Sequence, residues 1–260
     1  MRNRIVTPTM TSSPLRRLAV AVLLFLIVST PVLAQEGAIK WYKDLRQAST
    51  AAQGSNKPLM IEFWADWCTP CKIMETEVYT DARVAAALKE KMVSVRIHFD
   101  LQTDLVRKYN VEAIPCIVFT NSYGTELLRH RGILEAEDLA AVIEALPVDM
   151  SELNRLDRIL QKDKNNFEAL QGTASRLRAA GLYQSSNEFY RKAINRNEAK
   201  RNPALREVIL LETGLNFLDL GDGKQAVPIF ERCLKEFPNS ENRSRFEREL
   251  ARAKQLLSEI

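Results

Sequence analysis

Near "ALPVDMS", around Pro147, the hydrophobic period of the chain changes. Before that point short β-rich runs alternate with helical ones. "LMIEFW" precedes a helical stretch from Lys72, and "MVSVRIHF" precedes "TDLVRKYN". "CIVFT" and "ELLRHR" flank the turn signal "NSYG", and "EAEDLAAVIEAL" closes as an amphipathic helix. Strands alternating with helices, then a hairpin, then a helix, predict an α/β sandwich with a mixed sheet. After Pro147 strand signals vanish and apolar residues recur at helical spacing.

The helical half contains an internal repeat. "ALQGTASRLRAAGLYQSSNEFYRKAI" and "ILLETGLNFLDLGDGKQAVPIFERCL" superimpose when Gly181 is set on Gly221. Leu170 then meets Leu210, Ala174 meets Gly214, Ser186 meets Ala226, Tyr190 meets Phe230 and Ala193 meets Cys233. Small residues recur where two helices cross closely, an aromatic recurs where it fills the gap, and Pro238 ends the second unit. This pattern resembles the tetratricopeptide repeat, with about two copies flanked by the helices "ELNRLDRILQK" and "RSRFERELARAKQLLSEI". The spacing of 40 exceeds the usual length, and the polar linker "NRNEAKRNPA" is where the excess is expected. An unrelated helical bundle is the alternative.

Residues 1–34 read as a secretory signal peptide: Arg2, Arg4, Arg16 and Arg17 precede the apolar run "LAVAVLLFLIV", and small Val32 and Ala34 precede Gln35. The rival is an uncleaved membrane anchor, but Ser29, Thr30 and Pro31 interrupt the run short of the ~20 residues that a spanning helix needs. The predicted location is therefore periplasmic. This segment holds four arginines and no acids, so the formal charge of +4 on the 260-residue chain belongs to it and the remainder is near neutral. No basic surface for nucleic acid is indicated. The predicted organisation is thus a leader, an α/β domain at residues 35–147 and an all-helical domain at residues 148–260.

The chain has four cysteines, at 68, 71, 116 and 233, too few for a disulfide-stapled scaffold of this size. "WADWCTPCK" holds two of them in CxxC spacing, which suits zinc, a structural disulfide or electron exchange. Zinc would need a second ligand pair, and the two histidines, His98 and His130, are isolated in sequence. In an α/β chain a CxxC between a strand and a helix is a redox arrangement. Cys68 then falls at a helix N-terminus, where partial positive charge and free N–H groups favour thiolate. Pro70 suits the first turn, since its missing N–H costs nothing there. This predicts Cys68 as an exposed nucleophile, with Cys71 one turn inward as the resolving thiol.

"FWADWCTPCK" resembles the active-site phrase of the thioredoxin superfamily, with Trp67 before the first cysteine and Lys72 after the second. "AIP" at 113–115 resembles that family's cis-proline loop, with Pro115 lying 44 residues beyond Cys71. The resemblance places Glu62 where thioredoxins carry a buried acid, as a base for Cys71, and Arg96 where a lysine commonly neighbours that acid. Among relatives the phrase is similar to the periplasmic C-terminal domain of the transmembrane thiol reductase DsbD. There a second acid, matched by Glu75, follows the second cysteine, and the paired acids restrain reactivity until a partner docks. The Thr-Pro dipeptide and the helical half depart from that domain. Cys116 reads as a small buried side chain, with a third thiol near the redox pair as the alternative; Cys233 reads as packing.

The resemblance implies an exported thiol–disulfide oxidoreductase that needs no bound cofactor or metal. Its partners would be protein substrates with disulfides or thiols, a membrane thiol reductase as electron donor, and a protein docked by the helical repeats. Reduction of client disulfides is the expected direction, with oxidase and isomerase readings open. An adaptor, in which the redox fold only binds, is the alternative class.

Overall fold

The computed structural model describes residues 39–258, so the expected leader lies outside the described residues. Five strands, β1 (Trp41–Tyr42), β2 (Leu59–Trp64), β3 (Val93–His98), β4 (Cys116–Thr120) and β5 (Glu126–Arg131), form one sheet in the order β1-β3-β2-β4-β5. β1 and β2 run parallel to β3, whereas β4 is antiparallel to both β2 and β5. The sheet is mixed, as the alternation of runs predicts.

β2 is central because almost every residue of "LMIEFW" can be buried, which suits a strand covered on both faces. Its alternation assigns the faces. Leu59, Ile61 and Phe63 join a cluster with Ala48 and Ala52 of α1 (Leu45–Ser55) and with Leu105 and Val106 of α4 (Thr103–Lys108). Met60 joins the opposite cluster with Val84 and Leu88 of α3 (Ala82–Lys91) and Leu139 and Ile143 of α5 (Ala136–Ala145). That second face also carries α2 (Thr69–Ile73), which continues into a π-helical turn at Met74–Val78 closed by the Tyr79 N–H donating to the Met74 carbonyl at 2.9 Å. Helix starts follow local chemistry: the Asp44 carboxylate accepts from the Gln47 N–H at 2.9 Å, and that of Asp81 from the Arg83 N–H at 2.9 Å.

From Ser151 onward the described residues form helices only: α6 (Ser151–Lys162), α7 (Phe167–Ala179), α8 (Tyr183–Ala193), α9 (Asn197–Arg201), α10 (Pro203–Asp219), α11 (Gly223–Glu236) and α12 (Arg243–Ser258). The aligned positions of the internal repeat coincide in structure. Gly181 and Gly221 take φ of +73° and +71° at the turns after α7 and α10, a region that glycine enters without strain. Leu170, Ala174, Ser186, Tyr190 and Ala193 are all buried, as are their counterparts Leu210, Gly214, Ala226, Phe230 and Cys233. The short α9 occupies the polar linker.

The boundary expected at Pro147 falls in a short connection, but the apolar core does not stop there. Met150, Leu153, Leu177 and Leu182 belong to the same cluster as Met60, Ile117 and Phe119 of the sheet. Polar contacts secure the joint at the β4–β5 turn. The Ser122 N–H donates to Asn154 Oδ1 at 3.2 Å, Asn154 Nδ2 donates to Ser122 Oγ at 2.9 Å, and Thr125 Oγ1 donates to Asp157 Oδ1 at 2.9 Å. The Met150 N–H donates to the Asn56 carbonyl at 2.7 Å. Because β4 runs against β2, with Thr120 opposite Leu59, this joint lies at the pole of the sheet away from the end of β2. Residues from Ile39 onward therefore form one compact unit.

The crossing of α10 and α11 tests the packing directly. A Cβ at Gly214 would lie 2.7 Å from Phe230 Cζ and 2.9 Å from its Cε1, inside a fully buried ring. Gly214→Ala is expected to lower unfolding free energy by roughly 1–3 kcal/mol in urea melts. Gly54→Ala, in α1 with nothing within 4 Å, should be neutral or stabilise by up to about 1 kcal/mol. Equal behaviour of the two variants would contradict the close crossing.

Candidate active site

The CxxC lies where β2 ends and α2 begins. The Cys68 N–H donates to the Ala65 carbonyl at 3.1 Å, closing the turn, and Cys68 caps α2 with Thr69 and Pro70 in its first turn. Cys68 and Cys71 are joined as a disulfide, and the Cys71 N–H points at Cys68 Sγ from 3.2 Å. The sequence predicts an exposed nucleophile, whereas here Cys68 is only 2% exposed. The difference is physical: the sulfur is tied back to its partner and the pair packs with Ala65 under Trp64, Phe99 and Ile114. Among the described residues no group of three His, Cys, Asp or Glu side chains converges to hold a metal ion.

The Ile114–Pro115 peptide is cis, as the "AIP" signature predicts, and Ile114 sits against the disulfide cluster. The Gly132 N–H donates to the Pro115 carbonyl at 2.9 Å, tying this loop to the end of β5. Cys116 begins β4 as a free, buried thiol in the apolar cluster of the other sheet face, where burial pushes its pKa up. Cys233 is likewise buried among the repeat helices, and burial raises its pKa to about 12. Both therefore behave as packing side chains.

Two residues before Trp64 on β2, the β2–β3 register sets Glu62 beside Arg96. Glu62 has no solvent exposure, and Arg96 Nε lies 2.8 Å from its Oε2. The same guanidinium reaches Glu75 Oε1 at 3.2 Å, so one cation serves a buried acid from the sheet and an exposed acid from the π-helical turn. Arg96 Cζ lies 4.3 Å from the Trp64 ring centroid and 5.5 Å from that of Trp41, which holds the cation between two indoles. Trp41 meets Tyr79 edge-on at 5.0 Å. Burial dominates the electrostatics and raises the Glu62 pKa to about 7, while Arg96 opposes that rise. The same burial, with the Glu62 charge next to it, pushes Tyr79 well above its ordinary value.

The structure thus gathers Cys68, Cys71, Trp67, Pro70 and Pro115 at the redox pole, and Glu62, Arg96 and Glu75 in one ion-pair cluster joined to it through Trp64, which Arg96 covers and which packs on the disulfide. It also brings in Asp66, His98, Asp100, Trp41 and Tyr79, to which sequence reasoning gave no role. Trp67 is 63% exposed, and its indole N–H donates to Asp100 Oδ2 at 2.7 Å. His98 Nε2 lies 3.1 Å from Asp66 Oδ2. Trp41 and Tyr79 complete the Arg96 surround. The available signal was alternation: Arg96 and His98 are two apart on β3, as Glu62 and Trp64 are on β2, and the parallel register pairs them in order.

The Thioredoxin family model matches residues 43–145. Over 111 residues the chain is 32% identical to the thiol:disulfide interchange protein DsbD of Photorhabdus laumondii subsp. laumondii, covering 41% of this chain and 19% of that one. The Escherichia coli K12 protein of the same name is 32% identical over 108 residues, covering 40% and 19%. The chain thus spans about a fifth of the length of the curated relatives it matches. Among solved structures, a thioredoxin from Thermus thermophilus is 24% identical over 42% of this chain and 86% of that chain, with a TM-score of 0.38. Residues 43–145 thus match the Thioredoxin family model, are similar to part of these thiol:disulfide interchange proteins and hold a disulfide-closed CxxC, features that point to thiol–disulfide exchange.

Proposed function

We propose that this chain is an exported disulfide reductase of envelope proteins, located in the periplasm, whose tetratricopeptide-like helices dock a protein partner. One observation supports the redox role most directly: a dithiol at the start of a helix, packed against Ile114 of a cis-proline loop, on the strand–helix unit whose strand also carries a buried carboxyl with a pKa near neutrality. The reaction follows from those parts. Cys68 thiolate, stabilised by the helix start, attacks one sulfur of a client disulfide; the client bond breaks and its other sulfur leaves as a thiolate. Cys71 then loses its proton to Glu62 and attacks Cys68 Sγ, which releases the second client sulfur and closes the disulfide. Two electrons pass to the client, and a donor dithiol, by resemblance that of a membrane thiol reductase, restores the pair. Pro115 holds the client chain beside Cys68, and Arg96 with Glu75 tunes the charge on Glu62.

Docking by the helical half is supported by the repeat geometry. α8, α10 and α11 line a cleft of about 420 Å³ with Tyr190, Ile194, Leu210, Phe217 and Ile229 as its apolar floor. Arg191 and Glu188 at the rim offer both signs of charge.

Three outcomes test this reading. Cys71→Ser should accumulate mixed disulfides with periplasmic proteins that vanish on Cys68→Ser, as seen on non-reducing gels. Equilibration with glutathione should place the couple near the thioredoxin value of about −270 mV, and a value near about −120 mV would make the protein an oxidant. The third concerns Glu62. Its native pKa of about 7 lies above the ordinary value of 4.5, so between those values the folded state binds the extra proton. The contribution of Glu62 to stability of the oxidised protein should therefore be greatest below pH 4.5, fall as pH rises to about 7 and then level off, a loss of about 3 kcal/mol from this group. Glu62→Gln should remove that fall in urea melts and slow release of the mixed disulfide on the order of 10²-fold. A pH slope unchanged in Glu62→Gln would sink the assignment.

A further inference from the structure

β3 ends at His98 and β2 ends at Trp64, and the register sets those two residues side by side next to the redox pair. The imidazole meets the Trp64 ring edge-on, with centroids 5.2 Å apart, and its side chain is 15% exposed. The Asp100 N–H donates to His98 Nδ1 at 3.3 Å, so in the neutral ring Nδ1 carries the lone pair and the proton sits on Nε2, facing Asp66 Oδ2 at 3.1 Å. Asp100 in turn holds the Trp67 indole through its Oδ2. The connection therefore runs Asp66, His98, Asp100, Trp67, starting and ending in the loop that leads to Cys68.

Adding a proton to His98 changes one end of this connection. Nε2 keeps its bond to Asp66, but Nδ1 becomes a donor and meets the Asp100 N–H head-on. Two donors at 3.3 Å have no shared acceptor, so the Asp100 segment must turn. Its carboxylate, now holding the indole, is an acceptor on that same segment for the new N–H. Charge alone is a weak rival explanation: the Asp66 side chain is 83% exposed, and pairs in such solvent contact contribute little. Asp66 and Asp100 are the charged groups bonded around the ring, and Arg96 lies on the Trp64 indole that the imidazole also meets. Gln102, which accepts the His98 N–H at 2.8 Å and donates to the Lys43 carbonyl at 3.4 Å, is uncharged.

We propose that His98 is a positioning residue that makes the seat of Trp67 dependent on pH, so that this aromatic beside Cys68 is fixed for client docking with neutral His98 and released with protonated His98. The proposal does not depend on the direction of electron flow or on the helical half.

The test follows the Trp67 indole N–H by ¹⁵N–¹H NMR in the oxidised full chain between pH 5 and 8, the range in which histidine changes charge. Trp67→Phe assigns the resonance. In the wild type it should move with one inflection coincident with that of the His98 ring protons. In His98→Asn, whose side-chain oxygen accepts the Asp100 N–H at every pH, it should stay fixed. In parallel, KM for a disulfide-bonded model peptide should rise on acidification about threefold to tenfold more in the wild type than in His98→Asn, the size of one hydrogen bond, with the pH dependence of kcat unchanged. A flat Trp67 resonance in the wild type, which needs no variant to fold, overturns the proposal. So does an inflection that persists in His98→Asn.

Discussion

A carboxyl group with no solvent exposure on the central strand of a sheet loses the hydration that normally stabilises its charge, at a cost of several kcal/mol for an unpaired ion. Glu62 is placed there because β2 alternates, and the face that receives Met60 and Trp64 receives it too. One guanidinium answers the penalty, but Arg96 is shared with Glu75 and pressed between Trp41 and Trp64. Coulomb attraction therefore opposes desolvation without overcoming it. The acid is left poised between its two protonation states near neutral pH, which is the condition for accepting a proton from a neighbouring thiol and giving it back. β2, β3 and the π-helical turn each contribute a charge to this half-compensated cluster.

The order of elements was legible in the chain because each strand of the sheet is a short apolar run bounded by turn or helix signals. Glu62 stood out as an acid within "LMIEFW", and Cys68, Cys71 and Pro115 through phrases with fixed spacing. Arg96 could be matched to Glu62 only by resemblance, since pairing across strands requires the register. His98 left no trace of a role: its partners Asp66 and Asp100 come from two loops that are adjacent only after β2 and β3 pair. The burial of Cys68 was also hidden, because exposure depends on whether the pair is closed and on which side chains cover it.

The helical half shows the same limit at a larger scale. The repeat was readable from paired small and aromatic positions, and Gly214 against Phe230 shows why those positions recur. The seat of the helices on the sheet was not. Asn154, Asp157, Ser122 and Thr125 look like surface residues in the sequence, yet they bond to one another across a buried joint. Polar groups that satisfy one another in this way carry no hydrophobic signal, so a boundary drawn from periodicity passes straight through a shared core.

That joint has a mechanical consequence. With Met150, Leu153, Leu177 and Leu182 sunk into the sheet's own cluster, the described residues have no swivel between their two halves. On the proposed docking role, a protein held by the helices would reach the disulfide at one bearing and one span, from the far pole of the sheet. Such an arrangement would be a ruler where a floppy tether is a leash: it would sort proteins by how far their cysteines lie from the held segment, before any sulfur chemistry begins.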